Sequence, residues 1–79
     1  MQLYVADQQK NKFLGETSLI ILPGLDGELS VMDYHQPMIY ALRKGELKFK
    51  SKNKPYVYEI FGGIAYVKNN DVIVLIEAK

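Results

Sequence analysis

His35 is the only histidine in the chain, and Asp33 stands two residues before it. In an extended segment such neighbours share a face, so a proton-relaying aspartate–histidine pair is conceivable. A triad also needs a nucleophile held against the histidine. No serine here sits in a nucleophile motif, and there is no cysteine. The expected role of His35 is therefore a loop residue at a surface or a contact. One histidine among scattered carboxylates gives no metal-ligand spacing, and the lack of cysteine removes thiolate sites and disulfides. No catalytic group, metal or cofactor is expected. Gly24, Gly27 and the pair Gly62-Gly63 invite a test for phosphate binding. Neither stretch leads into a helix N-terminus, and neither carries Gly-Lys-Ser/Thr, so these glycines are expected to shape turns and bulges.

Lys48, Lys50, Lys52 and Lys54 alternate along one segment, with Phe49 and Tyr56 nearby. Basic residues interleaved with aromatics can track a single nucleic-acid strand, and the hairpin from Lys48 to Lys54 is the alternative functional reading. Phe49, however, falls on the opposite face of its strand from the lysines. The net charge of +1 is also low for a protein that neutralises phosphates. Lysines on an exposed edge also discourage pairing with other chains. The solvated edge is favoured, and no nucleic-acid partner is expected.

These residues need a frame, and the chain supplies one of strands. Gln2 to Asp7 alternates with Leu3 and Val5 on one face, and a short strand restarts at Lys12 after a polar turn. Thr17 to Leu22 runs into Leu22-Pro23-Gly24-Leu25-Asp26-Gly27-Glu28-Leu29, which reads as a double corner. Pro23-Gly24 suits a type II turn, and Asp26-Gly27 suits a tight hairpin. Glu28 to Met32 alternates again. A loop follows from Asp33 to Pro37. Met38 to Leu42 fits either a strand or one helical turn.

Glu46 to Lys50 alternates most cleanly, with Leu47 and Phe49 inward, and Pro55 to Phe61 returns as its partner. Gly62-Gly63 marks a bulge or a close backbone approach. Ile64 to Lys68, a turn at Asn69-Asn70 and the unbroken apolar run from Val72 to Ile76 close the series. That run has one apolar face too many for a half-solvated strand. Either the fold covers both faces or a partner covers one. Roughly nine short strands with frequent turns and no convincing helix predict an all-β fold: a small, flattened, two-sheet β-sandwich of short antiparallel strands.

The 79 residues are read as one domain spanning 1–79, and 48% hydrophobic content is enough for a core. The start Met1-Gln2-Leu3-Tyr4 lacks the basic and apolar regions of a signal peptide. No apolar run approaches the roughly 20 residues needed to cross a bilayer. A soluble, intracellular domain that forms part of an assembly is expected.

The chain resembles the N-terminal domain of the epsilon subunit of F-type ATP synthases, called delta in mitochondria. The resemblance runs from Phe13-Leu14-Gly15-Glu16 through Leu22 to Leu29, then His35-Gln36-Pro37, where the family reads His-Ala-Pro. It continues through Ala41 to Leu47 and Gly62-Gly63-Ile64-Ala65-Tyr66-Val67, and finishes at Val72-Ile73-Val74-Leu75. Ser30 stands where the family has Gly, Asp33-Tyr34 where it often has Pro-Gly, and Phe61 where it has Ser.

The resemblance implies a non-catalytic rotor part that grips the gamma subunit and rests on the polar loops of the c-ring. It would sit peripherally on the cytoplasmic face of a bacterial inner membrane, without inserting into the bilayer. By position it implies a c-ring contact at Asp26, Gly27 and Glu28. It places His35, Pro37, Met38 and Tyr40 near gamma. The family commonly continues into a C-terminal helical hairpin that in some members binds ATP. This sequence stops at Lys79, which is expected to be a natural short form, and ATP sensing is not assigned to it.

Overall fold

The computed structural model describes residues 1–8, 12–33 and 36–77. The polar turn expected before Lys12 and the centre of the 33–37 loop lie outside those residues. Among the described residues nine strands form: β1 (Gln2–Asp7), β2 (Lys12–Glu16), β3 (Leu19–Gly24), β4 (Gly27–Val31), β5 (Met38–Leu42), β6 (Gly45–Ser51), β7 (Lys54–Ile60), β8 (Gly63–Lys68) and β9 (Asp71–Ile76). Their order is β2-β1-β9-β8-β5-β3-β6-β7, with β4 attached to β3. The path curls so that β2-β1-β9-β8-β5 faces β4-β3-β6-β7, giving the all-β sandwich. No helix is present among the described residues.

Alternation decides which side chains meet in the middle. Leu3, Val5, Ala65, Val67, Val72 and Val74 point inward from the first layer. Ile20, Leu22, Val31, Leu47, Phe49 and Ile60 oppose them from the second. Phe13 on β2 reaches across to Phe49 on β6 at a ring separation of 4.7 Å, closing the open side of the curl. Phe49 in turn stacks on Tyr56 of β7 at 5.1 Å. Aromatic pairs at such spacings add to simple burial.

Met38–Leu42 proves to be a strand because it pairs along its whole length with β8, from Met38↔Val67 to Leu42↔Gly63. The pair β1–β9 is parallel, unlike its neighbours. Hairpins oblige sequential strands to run antiparallel, but β1 and β9 are joined through the entire chain and escape that constraint. Among the described residues, no buried side-chain nitrogen or oxygen lacks a hydrogen-bond partner.

Candidate docking site

The structure corrects the double corner to a single one. β3 continues through Pro23 and Gly24, which pair with Glu28 and Gly27, and the turn consists of Leu25 and Asp26 alone. Gly24 is not among the glycines with positive φ, so it makes no type II turn. Proline is tolerated inside β3 because pairing with β6 covers only Leu19 to Ile21, so no β6 ladder bond is lost at Pro23. The Pro23 carbonyl instead accepts a hydrogen bond from the Arg43 amide at 2.9 Å.

Gly24 is needed for close approach, since a Cβ there would lie 2.8 Å from the Gly27 carbonyl oxygen. Gly27 takes φ +131° at the outer end of the hairpin, with open space around its Cα. The result is a narrow, braced tip on which Leu25, Asp26 and Glu28 are all exposed. Behind it, between the β3–β4 hairpin and β5, lies a cleft of about 420 Å³ whose walls include Asp26, Glu28, Leu29, Ile39 and Tyr40. Two carboxylates at the mouth of a cleft suit a polar or cationic loop.

Tyr40, assigned with the gamma contacts, is half-buried against the core and lines this same cleft. Pro37 and Met38 are exposed at the opposite end of β5 from the tip, and Met38 keeps 44% of its surface in solvent. His35 lies outside the described residues. Asp33 accepts a hydrogen bond from the Met1 α-ammonium at 2.7 Å, and Glu16 accepts a second at 2.8 Å. No group of three or more His, Asp or Glu side chains is placed to hold a metal among the described residues.

Burial reveals a surface that periodicity leaves undecided. Within residues 72–76, Val72, Val74 and Ile76 are buried, whereas Ile73 and Leu75 are 40% and 55% exposed. The strand registers align them with others. Leu14, Tyr4, Ile73, Tyr66 and Ile39 form one row across β2, β1, β9, β8 and β5. Lys12, Ala6, Leu75, Ile64 and Ala41 form the next. A polar row of Glu16, Gln2, Asp71 and Lys68 borders them, with Gln2 donating to Glu16 at 2.8 Å.

The first layer thus presents a continuous apolar outer face. A depression of about 410 Å³ lined by Pro37, Met38, Ile39, Tyr66 and Val67 joins that face to the start of β5. A contiguous apolar patch rimmed by polar residues marks an interaction surface. In the sequence, only the 72–76 run signals this face. Ile39, Ile64 and Tyr66 look like ordinary strand residues until their register is known.

The hairpin from Lys48 to Lys54 borders a smaller pocket of about 170 Å³, lined in part by Lys48, Phe49, Lys50, Tyr56 and Val57. Phe49 is buried, and Tyr56 stacks on it rather than standing beside the lysines. Lys48 lies 3.9 Å from Glu46.

Residues 1–78 match the family model described as "ATP synthase, Delta/Epsilon chain, beta-sandwich domain". The chain belongs to this family. It is 30% identical over 78 residues to the ATP synthase epsilon chain of Dehalococcoides mccartyi, covering 99% of this chain and 56% of that one. It is 35% identical over 77 residues to the epsilon chain of Chlorobium limicola, covering 96% and 88%. It spans about half the length of most of the curated relatives it matches.

Two solved assemblies contain the same fold. One is the central stalk and c-ring of the Tetrahymena thermophila mitochondrial ATP synthase, with a TM-score of 0.81 at 21% identity, covering 99% of this chain and 63% of that one. The other is the Euglena gracilis mitochondrial ATP synthase, with a TM-score of 0.84 at 24% identity, covering 94% and 48%. In this chain no helix is long and apolar enough to cross a membrane among the described residues.

Proposed function

We propose that this chain is a non-catalytic central-stalk subunit of an F-type ATP synthase that fixes the gamma subunit to the c-ring. Its task is mechanical: ion-driven rotation of the ring must become rotation of the stalk during ATP synthesis. One observation carries the reading. A single stiff sandwich presents two chemically different surfaces, an apolar sheet face and an acidic hairpin tip at one end. A close-packed body with tight turns transmits force between such surfaces with little slack.

The apolar face suits the larger and more permanent contact, and we assign it to gamma. Ile39, Ile64, Tyr66, Ile73 and Leu75 form its centre, with Pro37 and Met38 adjoining through the depression. His35 and Tyr40 keep the gamma role that their sequence positions imply. The tip, with Asp26, Gly27 and Glu28, is assigned to the polar loops of the c-ring. The protein would lie peripherally on the cytoplasmic face of a bacterial inner membrane, bound through its partners and not through the bilayer.

The test is co-expression with a cognate gamma subunit followed by purification on a gamma tag. Stable co-purification, with an interface burying on the order of 1,200 Å² or more, is the expected result. Gamma purifying without this chain would contradict the assignment.

A further inference from the structure

The acidic tip is a cantilever. Among the described residues, β4 pairs with β3 alone, and β3 pairs with the first layer only at Gly24↔Leu42. Three hydrogen bonds support the tip at that point. Leu25 donates its amide to the Ala41 carbonyl at 3.1 Å, and Arg43 donates its amide to the Pro23 carbonyl at 2.9 Å. Any residue at 43 other than proline would supply the second of these. The third comes from a side chain: Arg43 Nε donates to the Gly24 carbonyl at 3.0 Å, on the last residue before the turn. Packing reinforces the joint, because a Cβ on Gly45 would stand 2.9 Å from the Pro23 Cβ.

We infer that Arg43 is a positioning residue that sets the angle of the tip, Asp26 to Glu28, relative to the apolar sheet face. It acts through the Gly24 carbonyl. This inference rests on the proposed function for its consequence, namely that the tip engages the c-ring at a fixed angle to gamma. The brace within the fold does not depend on that reading. Arginine is suited to the role because its planar fork loses less freedom per hydrogen bond than a flexible ammonium. The neighbouring β5 residues Ile39 and Ala41 lie on the apolar face, so the brace ties one proposed contact surface directly to the other.

The experiment compares Arg43→Ala and Arg43→Lys with the unaltered chain by three readouts. These are amide hydrogen exchange at Leu25, binding to detergent-solubilised c-rings, and binding to gamma. Arg43→Ala should speed Leu25 exchange about tenfold, the scale of one lost hydrogen bond. It should weaken c-ring binding several-fold and leave gamma binding unchanged, and Arg43→Lys should restore part of both losses. Unchanged exchange at Leu25 would overturn the brace itself. Faster exchange with unchanged c-ring binding would overturn its role in docking. If the unaltered chain binds gamma but not c-rings, the tip assignment and this role in docking fall together, and Leu25 exchange alone decides whether Arg43 holds the tip.

Discussion

Ile64 and Leu75 stand opposite each other across β8 and β9, and both are more than half exposed, at 53% and 55%. The next pair along, Ala65 and Val74, is fully buried. Two adjacent strands therefore place apolar residues on both faces, and only one face is covered by the fold. Ile64→Glu should change folding stability by less than about 1 kcal/mol, as surface substitutions do. The same change should weaken gamma binding at least about thirtyfold if the position is at the centre of that interface. Urea unfolding and a gamma pull-down measure the two effects side by side.

Gly63 is held where a side chain has no room. Its φ is +150°, and a Cβ would overlap the Leu75 carbonyl oxygen on the facing strand. Gly63→Ala should cost about 2–3 kcal/mol from strain and displaced backbone. Gly27 is the control, since its φ is +131° but nothing lies within 4 Å of where a Cβ would stand. Gly27→Ala should cost about 1 kcal/mol, from the backbone alone. Equal losses in thermal or urea unfolding would show that the Leu75 contact is unimportant.

The Met1 α-ammonium gives a pH dependence. Burial opposes its charge, but hydrogen bonds to Asp33 and Glu16 and their negative charges outweigh that effect and raise its pKa above the ordinary α-amino value. The Met1 side chain is buried while both carboxylates remain about half exposed or more, so solvent screens the pair and the contribution is modest. A group whose pKa rises on folding stabilises fully below its unfolded value and loses that contribution as pH climbs through the folded one. Thermal midpoints followed from neutral pH to about pH 10 should fall more steeply for the unaltered chain than for Asp33→Asn. Parallel curves would contradict a role for the ion pair.

Much of this fold is legible in the sequence. Leu47 and Phe49 flanked by charged residues announce β6, and Asn69, at φ +55°, makes the expected turn. Pro23-Gly24 departs from its local turn preference because tertiary partners override it: the Arg43 amide takes the Pro23 carbonyl and keeps β3 extended. The apolar outer face is only half visible along the chain. The unbroken run over residues 72–76 signals a second apolar face, yet its extent depends on which strands lie beside β9. Ile39 and Tyr66 share one row because β5 pairs with β8, and no spacing along the chain reveals that. The exposed carboxylate at Glu28 is legible as part of a tip, whereas the cleft behind it exists only because the Gly24↔Leu42 pairing brings β5 beside that tip.

Two chemically different surfaces of one rigid body, adjoining at Ile39, are proposed to bind two partners. The most direct test measures both affinities for Glu28→Lys and for Ile64→Glu, using purified gamma and solubilised c-rings. Glu28→Lys should abolish c-ring binding and spare gamma, and Ile64→Glu should do the reverse. If either substitution removes both interactions with the fold intact, or neither removes any, the two-surface account is wrong.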